Sequence, residues 1–245
     1  MMSLRLTTPA FLTLQNLASQ CAVCHSWPAR RVCAACVARF GQPAARCSTC
    51  AISLVSGQAQ CATCVRQPPP LDACFSAVTY AYPWSKLMAV YKFGQDPAWA
   101  AVFAGLLLRT PGLPGRLAAL QPGDWLLPMP LSAGRLQTRG FNQSWELAKA
   151  IAGQSGTAAR PDARLLLRIR NTPPQSQLKR EARLQNVRGA FVVDPLRAGE
   201  LAGRHVLLVD DVMTSGASLF AAARALREAG AAGVSGLVVA RTEAS

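Results

Sequence analysis

His205-Val-Leu-Leu-Val-Asp-Asp-Val-Met-Thr-Ser-Gly-Ala-Ser218 reads as a strand, a turn and the start of a helix. Val206 to Val209 form a continuous apolar run of the kind that lies buried in a parallel sheet. Asp210 and Asp211 follow at its C-terminal end, and Thr214-Ser215-Gly216-Ala217-Ser218 opens an amphipathic segment. In open α/β sheets, ligands sit beyond the carboxyl ends of the strands. The free N–H groups and dipole of a helix N-terminus attract phosphate. Gly216 permits close backbone approach, and the hydroxyls of Thr214, Ser215 and Ser218 add donors. Carboxylates repel a bare phosphate, so Asp210 and Asp211 suit a different task, accepting hydrogen bonds from adjacent sugar hydroxyls. The pattern describes a site for a ribose 5-phosphate.

Strand and helix signals alternate on either side of this stretch. Phe75 to Tyr82 reads as a strand, and Pro83 to Lys92 as a helix with Leu87, Met88 and Tyr91 on one face. A second helix spans Pro97 to Arg109 and is broken by Pro111 to Pro114. Trp125 to Pro130 is a short strand emptying into a loop that reaches Ser144, and a helix follows from Trp145 to Ala152. Arg135, Arg139 and Gly140 in that loop suit a second anion. Arg164 to Ile169 is a strand leading into a polar, basic, proline-broken stretch from Arg170 to Asn186, of a kind that closes over substrates. Phe191 to Val193, a helix from Ser218 to Ala229 with Leu219, Ala222 and Leu226 inward, and Val234 to Val239 complete the series. The alternation predicts an α/β fold with a doubly wound, mostly parallel sheet.

Eight of the nine cysteines form C-x-x-C pairs: Cys21/Cys24, Cys33/Cys36, Cys47/Cys50 and Cys61/Cys64. Two such pairs complete a tetrahedral thiolate site, and the regular spacing suits zinc better than an iron–sulfur cluster. The segment is too poor in aliphatic residues to fold on its own core, so metal has to supply folding energy. Consecutive pairing and a cross-braced arrangement are both open. His25 reads as a bystander and Cys74 as a small buried hydrophobe. The expected organisation is an N-terminal helix over 1–20, a zinc-binding cysteine module over 21–66, and an α/β domain over 72–245 after the Pro68-Pro69-Pro70 linker.

The chain has 245 residues and a net charge of +14, from 26 basic and 12 acidic residues. The excess is mostly arginine, the better bidentate phosphate ligand. Such a charge favours polyanionic partners, nucleic acid or phosphorylated substrates. Residues 1–20 lack the basic start and continuous apolar stretch of a signal peptide, and no run is long enough to span a bilayer. A cytoplasmic location without membrane insertion is expected; the oligomeric state is open.

The Asp210-Asp211 run with its Thr-Ser-Gly turn resembles the signature of type I phosphoribosyltransferases for 5-phosphoribosyl 1-pyrophosphate (PRPP). Four features occur in one order: the cysteine pairs, Pro128-Met-Pro-Leu131 with Arg139-Gly-Phe-Asn-Gln143, the Arg170…Gln175…Arg183…Asn186 segment, and the acidic signature. Together they resemble the ComF family of phosphoribosyltransferase-like proteins, associated with natural competence and DNA uptake. The resemblance runs from about Cys21 to the C-terminus, with Met129 where a valine is common. It implies that Asp210, Asp211 and Thr214 to Ser218 hold PRPP. It also implies that Arg139, Gly140 and Arg183 lie near pyrophosphate, beneath a hood formed by Arg170 to Asn186.

The implied reaction displaces pyrophosphate from PRPP by a nitrogen nucleophile, with Mg²⁺ accompanying PRPP and zinc as a structural metal. Positioning and charge stabilisation carry such a step, with Asp210, Asp211 and Arg139 as catalytic candidates and Asp211 the proton acceptor. The rival reading is a competence factor that binds PRPP or single-stranded DNA without turnover. Trp27, Phe40 and Trp145 are then the stacking candidates.

Overall fold

A computed structural model describes residues 19–55, 57–169 and 189–243. Most of the helix expected over 1–20, and the Arg170 to Asn186 segment with Arg183, lie outside the described residues. The chain divides into two compact units, residues 1–40 and 41–245. In the first, the two cysteine pairs flank a loop that precedes α1 (Ala34–Phe40), and Ser19 bridges Ala29.

The second unit opens with the other cysteine pairs and a short helix, α2 (Ala62–Arg66). Then come β1 (Ala73–Thr79), α3 (Trp84–Phe93), α4 (Trp99–Leu107), α5 (Leu113–Ala118) and β2 (Trp125–Pro128). After them come α6 (Ala133–Arg139), α7 (Gln143–Ser155), β3 (Arg160–Pro161), β4 (Leu166–Arg168), β5 (Phe191–Val193), β6 (His205–Met213), α8 (Ala217–Glu228) and β7 (Gly233–Arg241). Five strands form one sheet in the order β1-β7-β6-β2-β3, with every pair parallel. β4 and β5 pair antiparallel as a separate ribbon.

The continuous apolar runs of β2, β6 and β7 are buried on both sides, as a helix-covered parallel sheet requires, whereas β1 alternates buried and half-buried residues. β7 is buried throughout. Val206 and Leu208 join α8 residues Leu219, Ala222 and Leu226 in one core cluster. Leu207 and Val209, equally buried, alternate to the opposite face. β2 continues through α7 to β3 in one direction, and β6 through α8 to β7 in the other. Right-handed crossovers therefore place α7 and α8 on opposite faces. The connections diverge between β2 and β6, which is where such sheets open a crevice for ligand.

The short helices α1 and α2 beside the cysteines, and α5 and α6 within the α/β domain, are not among the sequence-based expectations. α5 occupies the stretch read as a proline break: Gly112 turns the chain at φ +81° and Pro114 sits in the first turn, where proline is tolerated. α6 lies inside the loop after β2 and buries no residue, so no apolar periodicity announces it.

Candidate functional site

A cavity of about 760 Å³ opens beyond the C-terminal ends of β2 and β6. That is the size range of small-molecule sites. Its floor is the end of β6 and the turn after it: Asp210, Asp211, Thr214, Gly216, Ala217 and Ser218. Met129, Pro130 and Leu131 continue β2 along one wall, followed by Arg135, Thr138 and Arg139 from α6. Lys92 and Phe93 end α3 at the rim, and Arg168 enters from β4. Of the residues singled out in the sequence, Ser215 and Gly140 do not line the cavity. Ser215 Oγ accepts from the Ala217 N–H at 3.4 Å, and Gly140 caps α6 with φ +76°.

Gly216 is the N-cap of α8 at φ +82°. A Cβ there would lie 2.5 Å from Met213 Cε and 2.7 Å from the Phe220 ring. Only glycine fits this left-handed, crowded position, and it lets the first N–H groups of α8 face the cavity.

The two carboxylates differ. Asp210 Oδ1 accepts from Ser144 Oγ at 3.0 Å and from the Asp211 N–H at 2.9 Å. Burial, and then the neighbouring Asp211 charge, push its carboxyl up to about 7, against the pull of Lys92, the Asp211 N–H and Ser144. Asp211 is 4 % exposed, and its Oδ2 lies 3.0 Å from Lys92 Nζ. The sequence pattern marks Lys92 only as the end of a helix. Nothing in a single sequence announces a partner on another element.

Four cations, Lys92, Arg135, Arg139 and Arg168, face two carboxylates across the cavity. The Arg139 guanidinium lies 5.2 Å from the Phe93 ring centroid, and burial lowers its pKa. Arg168 is lowered by burial and by Arg135. Guanidinium groups crowded and desolvated in this way gain from a multiply charged anion.

The Arg139-Gly-Phe-Asn-Gln143 run joins α6 to α7 and fastens α7 to the end of β2. Phe141 meets Tyr91 at 5.8 Å between ring centroids. Asn142 Oδ1 caps α7 by accepting from the Ser144 and Trp145 N–H groups, while its Nδ2 donates to the Met129 carbonyl at 3.1 Å. Ser144, the next turn's first hydroxyl, reaches Asp210. Asn142→Ala removes the cap and the tether, with an expected loss of about 1–2 kcal/mol. At roughly 2–4 °C per kcal/mol, a thermal melt reads this directly. An unchanged midpoint would deny Asn142 that role.

The cysteines group consecutively. Cys21, Cys24, Cys33 and Cys36 form one set, and Cys47, Cys50, Cys61 and Cys64 another, with all sulfurs of a set within 4.8 Å of one another. His25 belongs to neither set. Cys24 and Cys33 Sγ lie 3.7 Å apart, as do Cys50 and Cys61. A tetrahedral ion with bonds of about 2.3 Å requires sulfurs about 3.8 Å apart, so the residues fit a structural zinc. Backbone N–H groups of Cys33 and Cys61 point at Cys21 and Cys47 Sγ, each at 3.3 Å. Hydrogen bonds from Ser26 pull Cys24 down to about 6, whereas burial and its cysteine neighbours hold Cys36 up at about 12. A dication removes that conflict among crowded thiols. Cys74, in β1, is 5 % exposed, and burial raises its thiol to about 12.

No helix among the described residues is long and apolar enough to cross a membrane. Residues 166–245 match the phosphoribosyl transferase domain. The chain is 32% identical over 212 residues to the DNA utilization protein YhgH of Salmonella typhimurium, covering 86% of this chain and 90% of that one. It is 29% identical over 185 residues to Competence protein F of Haemophilus influenzae, covering 75% and 79%. It is 36% identical over 118 residues to Competence protein ComFC of Bacillus subtilis, covering 48% and 44%.

Proposed function

Because the chain belongs to the ComF family, we propose that it binds PRPP beyond β2 and β6 and transfers the phosphoribosyl group to a nitrogen acceptor, in a role tied to DNA uptake. One observation carries this reading: the acidic pair and the glycine-tight turn of α8 open on one cavity that holds an excess of cations. Asp210 and Asp211 accept from the ribose hydroxyls. The N–H groups at the start of α8, with Thr214 and Ser218, hold the 5-phosphate. Arg139, joined by Arg135 and Arg168, faces the pyrophosphate and stabilises it as it leaves. The family resemblance adds Arg183 from the hood. An Mg²⁺ carried by the pyrophosphate suits a cavity whose carboxylates are Asp210 and Asp211, and it would neutralise the leaving group. Asp210 is the better proton acceptor: its carboxyl is near neutrality, while Asp211, favoured from sequence, is tied to Lys92.

Isothermal titration of PRPP with Mg²⁺ into the zinc-loaded protein tests the binding. A saturable heat is expected, followed by pyrophosphate release when nitrogen nucleophiles are screened. No heat from a folded, zinc-loaded protein would sink the reading.

Protonation gives a second check. Asp210 holds its sugar hydroxyl as an ionised acceptor, and its carboxyl titrates at about 7. PRPP affinity is therefore expected to rise by roughly tenfold between pH 6 and pH 8. The profile should flatten in Asp210→Asn, which separates this group from the titrating phosphates of PRPP. In the free protein the raised carboxyl acts in the opposite sense: the fold loses stability as pH rises from about 4 to about 7, since ionisation is then the costly event.

A second reading rests on Trp27, which is 67% exposed in the first unit and is followed in sequence by Arg30 and Arg31. An exposed indole beside basic residues suits stacking on single-stranded DNA. Phe40 and Trp145 are half-buried, against Arg39 and Lys149 respectively. Loss of oligonucleotide binding in Trp27→Ala with PRPP binding intact would support a separate DNA-binding role.

A further inference from the structure

Arg241 ends β7 and is 6 % exposed. Its guanidinium spans two parts of the second unit that are far apart in sequence. Nε donates to the Cys50 carbonyl at 3.0 Å, within the second cysteine set. Nη1 sits among the carbonyl oxygens of Met213 at 3.1 Å, of Thr214, and of Thr242 at 2.9 Å. Met213 and Thr214 are the residues through which β6 passes into the turn of α8. The knuckle carrying Cys50 is also stitched to the sheet, because the Cys74 N–H donates to the Ser48 carbonyl at 2.8 Å. Cys47, Cys50 and Cys64 share a core cluster with Met213 and Ala217.

A buried guanidinium is costly unless its donors are used, so this side chain fixes the carbonyls around it in one arrangement. Moving the Cys50 backbone moves Arg241, and with it the carbonyl of Thr214. The orientation of that peptide sets where the next N–H groups point. We propose that Arg241 is a positioning residue that ties the turn after β6 to the second cysteine centre. A metal held by Cys47, Cys50, Cys61 and Cys64 then presets the cradle for a ribose 5-phosphate. This rests on the ribose-phosphate reading of the cavity. It adds a thermodynamic link between two sites, and such a link is reciprocal: ligand in the cavity must also act on the metal centre.

Cobalt(II) in place of zinc makes the thiolate centre visible, because its absorption bands follow the geometry of the four sulfurs. The test uses the full chain with Cys24→Ser and Cys33→Ser, which leaves the second set as the four-thiolate site, and ribose 5-phosphate as the probe. Saturation with ribose 5-phosphate is expected to shift the cobalt bands. In Arg241→Met the shift should vanish and the dissociation constant for ribose 5-phosphate should rise by roughly tenfold, within the usual range of site-to-site coupling. Arg241→Lys keeps the charge but not the fork, and should recover only part of the affinity. If Arg241→Met does not fold, the unmutated Arg241 protein decides alone. Ribose 5-phosphate that binds there and leaves the cobalt bands unmoved overturns the link. Absence of any ribose 5-phosphate binding overturns the reading of the cavity, and the link with it, and calorimetry distinguishes that case from the former.

Discussion

Asp210→Asn combined with Asp211→Asn is expected to weaken PRPP binding by roughly 10²- to 10⁴-fold. Each carboxylate accepts a sugar hydroxyl in the proposed complex, and a hydrogen bond to a charged group contributes about 1.5–3 kcal/mol. Two of them amount to about 3–6 kcal/mol, and each 1.4 kcal/mol is a factor of ten. Asparagine keeps the volume, and at position 210, with its amide oxygen held by the Ser144 hydroxyl and the Asp211 N–H, it presents a donor in place of an acceptor to the sugar, so ligand binding rather than the fold is what fails. Two opposing effects bear on stability. Asp210 no longer carries a charge that burial disfavours. Lys92, whose side chain is 19% exposed, loses the carboxylate 3.0 Å away. A melt close to the parent protein with the titration heat gone is the expected pair of results. A double variant that binds PRPP within threefold of the parent would remove both carboxylates from the site. Retained affinity for an oligonucleotide in the same variant would place DNA binding elsewhere.

Cys47→Ser with Cys64→Ser is expected to do far more damage to the fold. Cys47 and Cys64 lie in one core cluster with Leu71, Cys74 and Met213. Structural zinc in small modules contributes an apparent binding free energy on the order of 10 kcal/mol, which is as large as the net stability of a typical domain. Losing it from within a core leaves buried hydroxyls without their metal and a knuckle without its anchor. The expected outcome is loss of the cooperative melt of the second unit, with PRPP binding abolished alongside. Chelation of the parent protein should do the same, and added zinc should reverse it. A variant that melts as the parent does would show that the sheet carries this unit without metal.

Much of the architecture was legible because it rests on local patterns. Val206 to Val209 announces a buried strand by its continuity, and Leu219, Ala222 and Leu226 announce a helix face by spacing, both independent of distant residues. The sequence pattern starts the helix at Ser218 and the structure starts it at Ala217, a shift within the usual fraying of helix ends. α6 escaped because it buries nothing. The consecutive grouping of the cysteines could not be chosen from spacing, since both arrangements offer two C-x-x-C pairs to each ion. The candidate site divides in the same way. Its acidic pair and glycine turn sit in one contiguous stretch. Lys92 reaches Asp211, Ser144 reaches Asp210, and Arg241 reaches Cys50 only after the sheet has assembled, and no single sequence encodes those pairings in a readable form.

Arg241 bonds the carbonyl of a residue 191 positions earlier. At roughly 5–20 residues per second of synthesis, about 10–40 s separate the emergence of Cys50 from that of the arginine that secures it. Through that interval the growing chain carries the second thiol set without its last strand. Those sulfurs are then open to oxidation and to the wrong metal, and closure is a late event of high sequence separation. Premature termination near the C-terminus is therefore expected to leave the second cysteine set unsecured rather than merely to shorten the sheet.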